Sequence, residues 1–134
     1  MALSGSFTTS GYEGRCWKFS WTASQNVGAN TSTISYKVEA IGGSAGWYMT
    51  GPCKVVVAGN TVYNNTGRWK QYKGTLCSGS VTVNHNSNGT QSFSASISSA
   101  IYYYADGTGN GSGSWSLDTI PRASQPSVNN WPSS

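Results

Sequence analysis

The chain has 134 residues, enough for one ordinary domain whose core needs neither metal nor disulfide staples. Charged residues make up only 9% of it, and the net charge of +4 comes from basic residues scattered singly, which leaves no basic stripe for nucleic-acid binding. At 13% aromatic and rich in β-branched residues, the chain is not of disordered composition either; hydroxyl and amide side chains carry its solubility.

The N-terminus, Met1-Ala2-Leu3 and then Ser4-Gly5-Ser6, lacks the basic start and apolar stretch of a signal peptide. No apolar run approaches the length of a membrane span. From there the pattern is alternation with period two, broken by Gly/Asn turns, with no amphipathic helix of useful length. Residues 15–25 put Trp17, Phe19, Trp21 and Ala23 on one face, and Cys16, Lys18, Ser20 and Thr22 on the other. After a turn at 26–30, residues 31–41 place Ile34, Tyr36, Val38 and Ala40 inward, and Thr33, Ser35, Lys37 and Glu39 outward. These two segments predict a hairpin. Residues 53–58 and 61–63 flank Gly59-Asn60, which predicts a second one.

Residues 80–84 and 90–101 flank His85-Asn86-Ser87-Asn88-Gly89, where Asn-Gly supplies the positive φ of a further hairpin. In the returning strand Phe93, Ala95 and Ile97 share a face, opposite Ser92, Ser94, Ser96 and Ser98. The last strand, residues 113–120, points Trp115, Leu117 and Thr119 one way and Ser114, Ser116 and Asp118 the other. Such strands predict an all-β fold: an antiparallel β-sandwich, Ig-like or jelly-roll-like, with a closed barrel as the alternative. The module is expected to occupy residues 1–120. Residues 121–134, with Pro121, Pro126 and Pro132 among Ser and Asn, read as a linker to something else.

Three stretches, with the opening Ser4-Gly5-Ser6-Phe7, point to a family. They are Ser24-Gln25-Asn26-Val27 with Asn30-Thr31-Ser32-Thr33; His85-Asn86-Ser87-Asn88-Gly89-Thr90-Gln91-Ser92-Phe93; and Gly113-Ser114-Trp115-Ser116-Leu117-Asp118-Thr119-Ile120-Pro121-Arg122-Ala123-Ser124. Over residues 4–124 the chain resembles siphovirus tail proteins of unknown function from phages and prophages of Gram-positive hosts. Where that family often carries Asp-Gly, this chain has Asn88-Gly89, which preserves the turn. The resemblance implies a virion tail or fibre component at the host-contacting end, made in the bacterial cytoplasm, and supplies no catalytic or binding residues.

The residues themselves offer little chemistry. Glu13, Glu39, Asp106 and Asp118 are the only acids; Glu39 lies on the polar face of a strand and Asp118 in the terminal stretch, and neither stands in an evident cleft-building loop as paired-carboxylate hydrolysis requires. His85, the single histidine, is expected to hydrogen-bond within its own turn. Cys16, Cys53 and Cys77 are odd in number without a Cys-x-x-Cys spacing, which predicts buried free thiols and neither a disulfide framework nor a zinc site. The Gly-rich stretch 106–113 lacks the closing Glu of a calcium loop and reads as a flexible connection.

The aromatics are more telling. Trp17, Phe19, Trp21 and Trp115 alternate on strands and belong to the core. Trp47 and Tyr48 fall in or beside a Gly-rich loop, Trp69 and Tyr72 lie among Arg68, Lys70, Gln71 and Lys73, and Tyr102-Tyr103-Tyr104 must push a ring outward. Exposed rings beside amides and cations suit a pyranose face with its hydroxyls, and equally a protein interface. The expectation is a non-enzymatic tail-fibre or baseplate module in the virion tail, with no cofactor, no metal and no membrane insertion. It contacts host cell-surface polysaccharide through Trp47, Tyr48, Arg68, Trp69, Tyr72 and Tyr103, alongside other tail proteins and as a possible homo-oligomer. The alternative is a purely structural tail domain mediating oligomer or interdomain assembly, and behind it an envelope polysaccharide-degrading enzyme.

Overall fold

The alternating segments become strands of two antiparallel sheets. In the computed structural model, which describes residues 1–11, 16–41, 47–49, 53–65, 69–71, 74–102 and 106–121, the first sheet is formed by β1 (Ser4–Thr8), β2 (Cys16–Asn26), β3 (Thr31–Ile41) and β8 (Gly74–Asn84), in that order. The second runs β12 (Gly111–Ser116), β9 (Ser92–Ser98), β5 (Cys53–Val57) and β6 (Asn60–Asn65). A third, small sheet is made of β11 (Asp106–Thr108), β10 (Ala100–Tyr102), β4 (Trp47–Met49) and β7 (Trp69–Gln71). For these last four strands the backbone carries the description, except at Thr108.

The β2–β3 hairpin forms as its alternation predicts, pairing from Cys16↔Ile41 to Asn26↔Thr31. Its turn closes on Asn30 at φ 57, and the Asn26 side chain accepts the Ala29 N–H at 3.0 Å. The inward residues of this pair face those of β9 and β12, and the two four-stranded sheets pack as a β-sandwich. They meet at one corner through a single parallel bridge, Ala2↔Leu117, and do not close into a barrel.

Large and small residues alternate within the core. One row across the first sheet reads Gly5–Trp21–Tyr36–Gly79, and the next Phe7–Phe19–Val38–Cys77. A Cβ on Gly5 would stand 2.7 Å from the indole nitrogens of both Trp21 and Trp115, so only glycine admits the two rings. Trp115 in turn lies 5.3 Å from Phe93, 5.4 Å from Trp21, 6.0 Å from Phe19 and 6.2 Å from Phe7, centroid to centroid. Each fully buried aromatic or aliphatic side chain adds on the order of 1.5–3 kcal/mol. The outward positions, by contrast, are hydroxyls: Ser92, Ser94, Ser96 and Ser98 on β9 are all exposed.

Several sequence expectations need correction. The segments flanking His85 are not a hairpin: β8 pairs with β3 in one sheet, and β9 with β12 and β5 in the other. The connection is an arch between layers. Alternation cannot tell the two apart, because both strands bury one face in either case. The β5–β6 turn is Ala58-Gly59, at φ 51 and 80, with Val57↔Asn60 already paired, one residue earlier than Gly59-Asn60. The Gly-rich stretch 106–113 is largely strand, contributing β11 and the start of β12. Past Ser116 the strand ends, so Thr119 is exposed and Ile120 takes the buried place instead. Of the expected linker, 121–134, all but Pro121 lies outside the described residues.

Candidate functional site

Three excursions of the chain build the small sheet: β4 between β3 and β5, β7 between β6 and β8, and β10–β11 between β9 and β12. All three leave and rejoin the sandwich at the same end, where Ile41 pairs with Cys16, Asn65 with Cys53, and Gly111 with Ile97. The register is Trp47↔Gln71, Tyr48↔Lys70 and Met49↔Trp69, with Tyr102 opposite Tyr48 and Asp106 opposite Tyr102. One row therefore reads Asp106–Tyr102–Tyr48–Lys70, an acid and a base at its two edges with tyrosines between.

Of the aromatics singled out by sequence, Trp47, Tyr48 and Trp69 thus come together, though they are 21 or more residues apart for Trp69. They sit on strands, not in loops; segments of three residues are too short for alternation to reveal. Arg68, Tyr72 and Tyr103 lie outside the described residues, each adjoining a strand of this sheet in the chain. Tyr102 and Asp106 were not among the expected site residues. The tyrosine run flags Tyr102 only as one of three consecutive rings, and only cross-strand register joins Tyr102 and Asp106 to Tyr48.

The opposite end of the sandwich carries a buried polar corner. His85 and Ser32 are 7% and 0% exposed, and Ser32 Oγ lies 2.6 Å from His85 Nε2. The other ring nitrogen, Nδ1, lies 2.6 Å from the Gly89 carbonyl, which can only accept, so Nδ1 carries the proton and Ser32 donates to Nε2. Gln25 Nε2 donates to Ser32 Oγ at 3.4 Å and to the Asp118 carbonyl at 2.7 Å. The histidine thus bonds within its turn, as its sequence position predicts. A serine beside a histidine has the components of a nucleophile and its base. This pair has no open side for a substrate, and both ring nitrogens are engaged; it ties β3 to the arch.

Of the four acids, Glu39 and Asp118 have described side chains, while Glu13 lies outside the described residues. Glu39 pairs with Lys37 at 3.4 Å on the outer face of the first sheet, near Lys18 and Thr75 in register, whereas Asp118 lies past β12 beside Gln25, at the other end. These two carboxylates cannot flank one bond. Burial pushes the Cys53 thiol up to about 12 and the Cys77 thiol up to about 11, so both are neutral and poor nucleophiles. Cys53 is buried, Cys16 and Cys77 half-buried, and none is bridged. Among the described residues no group of His, Cys, Asp or Glu is arranged to hold a metal ion, and no helix is long and apolar enough to cross a membrane. An open surface depression of about 450 Å³ on the first sheet is bordered by Trp21 and Tyr36 together with Ser20, Thr22, Ser35, Lys37, Ser78 and Gly79.

No family model, no curated protein and no solved structure matches the chain.

Proposed function

We propose that the protein is a non-enzymatic tail-fibre or baseplate module of a phage or prophage, and that its small sheet contacts polysaccharide on the host surface. The observation that carries this reading is the register that brings Trp47, Tyr48 and Trp69 from distant parts of the chain into one sheet, beside Lys70 and Gln71. Aromatic rings among amide and ammonium groups match a sugar's apolar face and its hydroxyls. The phage context rests on the resemblance of residues 4–124 to siphovirus tail proteins. The same aromatics would serve a purely structural tail domain if they pack against a neighbouring subunit.

Retention of the protein by purified Gram-positive cell walls, measured with Trp69→Ala and Tyr72→Ala, separates the two. Glycan contact predicts retention by some wall and at least a tenfold loss in either variant. Absence of retention by every wall, together with an oligomer that the same substitutions dissociate, would establish the structural role instead. Shortening of the polysaccharide during incubation would mean an enzyme.

A further inference from the structure

The first sheet ends on β8, and no described strand covers its outer edge. The phase of the β3–β8 ladder says which backbone groups face that edge. His85 N–H donates to the Asn30 carbonyl at 2.9 Å, next to the pair Thr31↔Asn84. An antiparallel ladder alternates between hydrogen-bonded and non-bonded pairs. Val83, Val81, Gly79 and Cys77 therefore bond to β3, while Ser78, Ser80, Thr82 and Asn84 turn their N–H and C=O groups away from it. The Asn84 carbonyl agrees with this phase, for it accepts Gln91 Nε2 from the outer side at 2.7 Å.

Sheet edges of this kind are usually blunted by charge, proline or a bulge. On the sandwich, the matching edge of the second sheet, β6, is interrupted mid-strand by a bulge at Val62, between Val55↔Tyr63 and Val56↔Thr61. The edges of β1 and β12 adjoin each other at the Ala2↔Leu117 bridge. β8 has none of these protections over its 11 residues: no Lys, Arg, Asp, Glu or Pro, and its bulge lies near one end, at Leu76. That bulge stops the open row on one side, and the Gln91 cap on Asn84 stops it on the other. Between them remain Ser78, Ser80 and Thr82, evenly placed about Ser80, exposed, and small enough to admit another strand.

We propose that this edge is a self-docking surface: two copies of the chain join by antiparallel β8–β8 pairing centred on Ser80, continuing the sheet across a two-fold axis. In that register Ser80 exchanges both backbone hydrogen bonds with Ser80 of the second copy, and Ser78 with Thr82. Donors and acceptors match throughout, and only hydroxyls meet on the outer face. A second copy is the occupant that this edge favours because the open row is its own antiparallel complement, with no charge to select a different partner. The pairing engages only the open row Ser78, Ser80 and Thr82 of each copy, so the dimer depends on concentration. It is independent of the glycan reading.

Light scattering on the intact chain, from micromolar to near-millimolar concentration, tests this with Ser80→Pro and Ser80→Lys. The Ser80 N–H points away from β3, so proline there removes an intermolecular donor and leaves the β3 ladder whole. The wild type should double in mass with concentration, and both variants should remain monomeric with unchanged circular dichroism. In the unmodified protein, amide exchange at Ser78, Ser80 and Thr82 should slow at least tenfold over the same range. A wild type that stays monomeric throughout, or a dimer in which those three amides exchange freely, would overturn the proposal.

Discussion

His85 shows how much one side chain can hold in a fold with few charges. Its ring joins β3, through Ser32, to the arch carbonyl of Gly89, whose oxygen also accepts the Ile120 N–H at 3.0 Å. Ser32→Ala leaves Nε2 buried without a donor and should cost about 1–3 kcal/mol. His85→Ala strands both Ser32 and the turn and should cost more. Urea midpoints at unchanged m-value read both; a loss in Ser32→Ala below about 0.5 kcal/mol would show that water replaces the missing donor. The bonding of His85 within its turn was legible in the sequence, because His85 and Gly89 are neighbours there. Ser32 was not, since it lies on another strand 53 residues away.

Turns are the elements where local rules and the tertiary fold pull apart. The β5–β6 connection asks Ala58 to adopt φ 51, a conformation that costs a residue with a Cβ about 1–2 kcal/mol. Ala58 accepts it because the register of β5 with β9, Val57↔Ala95, sets where the strand ends. Ala58→Asn should create an Asn-Gly turn of the favoured type and raise the melting temperature by a few degrees, about 0.5–1 kcal/mol. A lower melting temperature would mean that the contact of Ala58 with the core outweighs the backbone strain.

At the scale of the whole molecule, the described core holds no Lys, Arg, Asp or Glu and resists acquiring charge. Cys53 and Cys77 have thiols raised from the usual value of about 9 to about 12 and 11, chiefly by burial. The unfolded chain releases these protons first, so the stabilisation is complete below pH 9 and declines as pH rises toward 11–12. The urea midpoint should therefore fall above pH 9, and Cys53→Ala should lessen the slope. An equal slope in wild type and variant would assign the alkaline loss to other groups.

Period-two alternation determined the all-β class, the β2–β3 hairpin and the inward places of Trp17, Phe19, Trp21 and Trp115, because a strand that buries one face writes that face into every second residue. Likewise the aromatic residues of the candidate site were visible as residues. Their meeting was not. Whether β8 and β9 share a sheet or arch between two depends on which strands they pair with, as does the joining of Trp47 and Tyr48 to Trp69. Pairing across the chain is a property of register and layer packing, which no local pattern encodes. The tertiary structure alone decided that three short excursions become one aromatic-bearing sheet, and that no described strand covers the outer edge of β8.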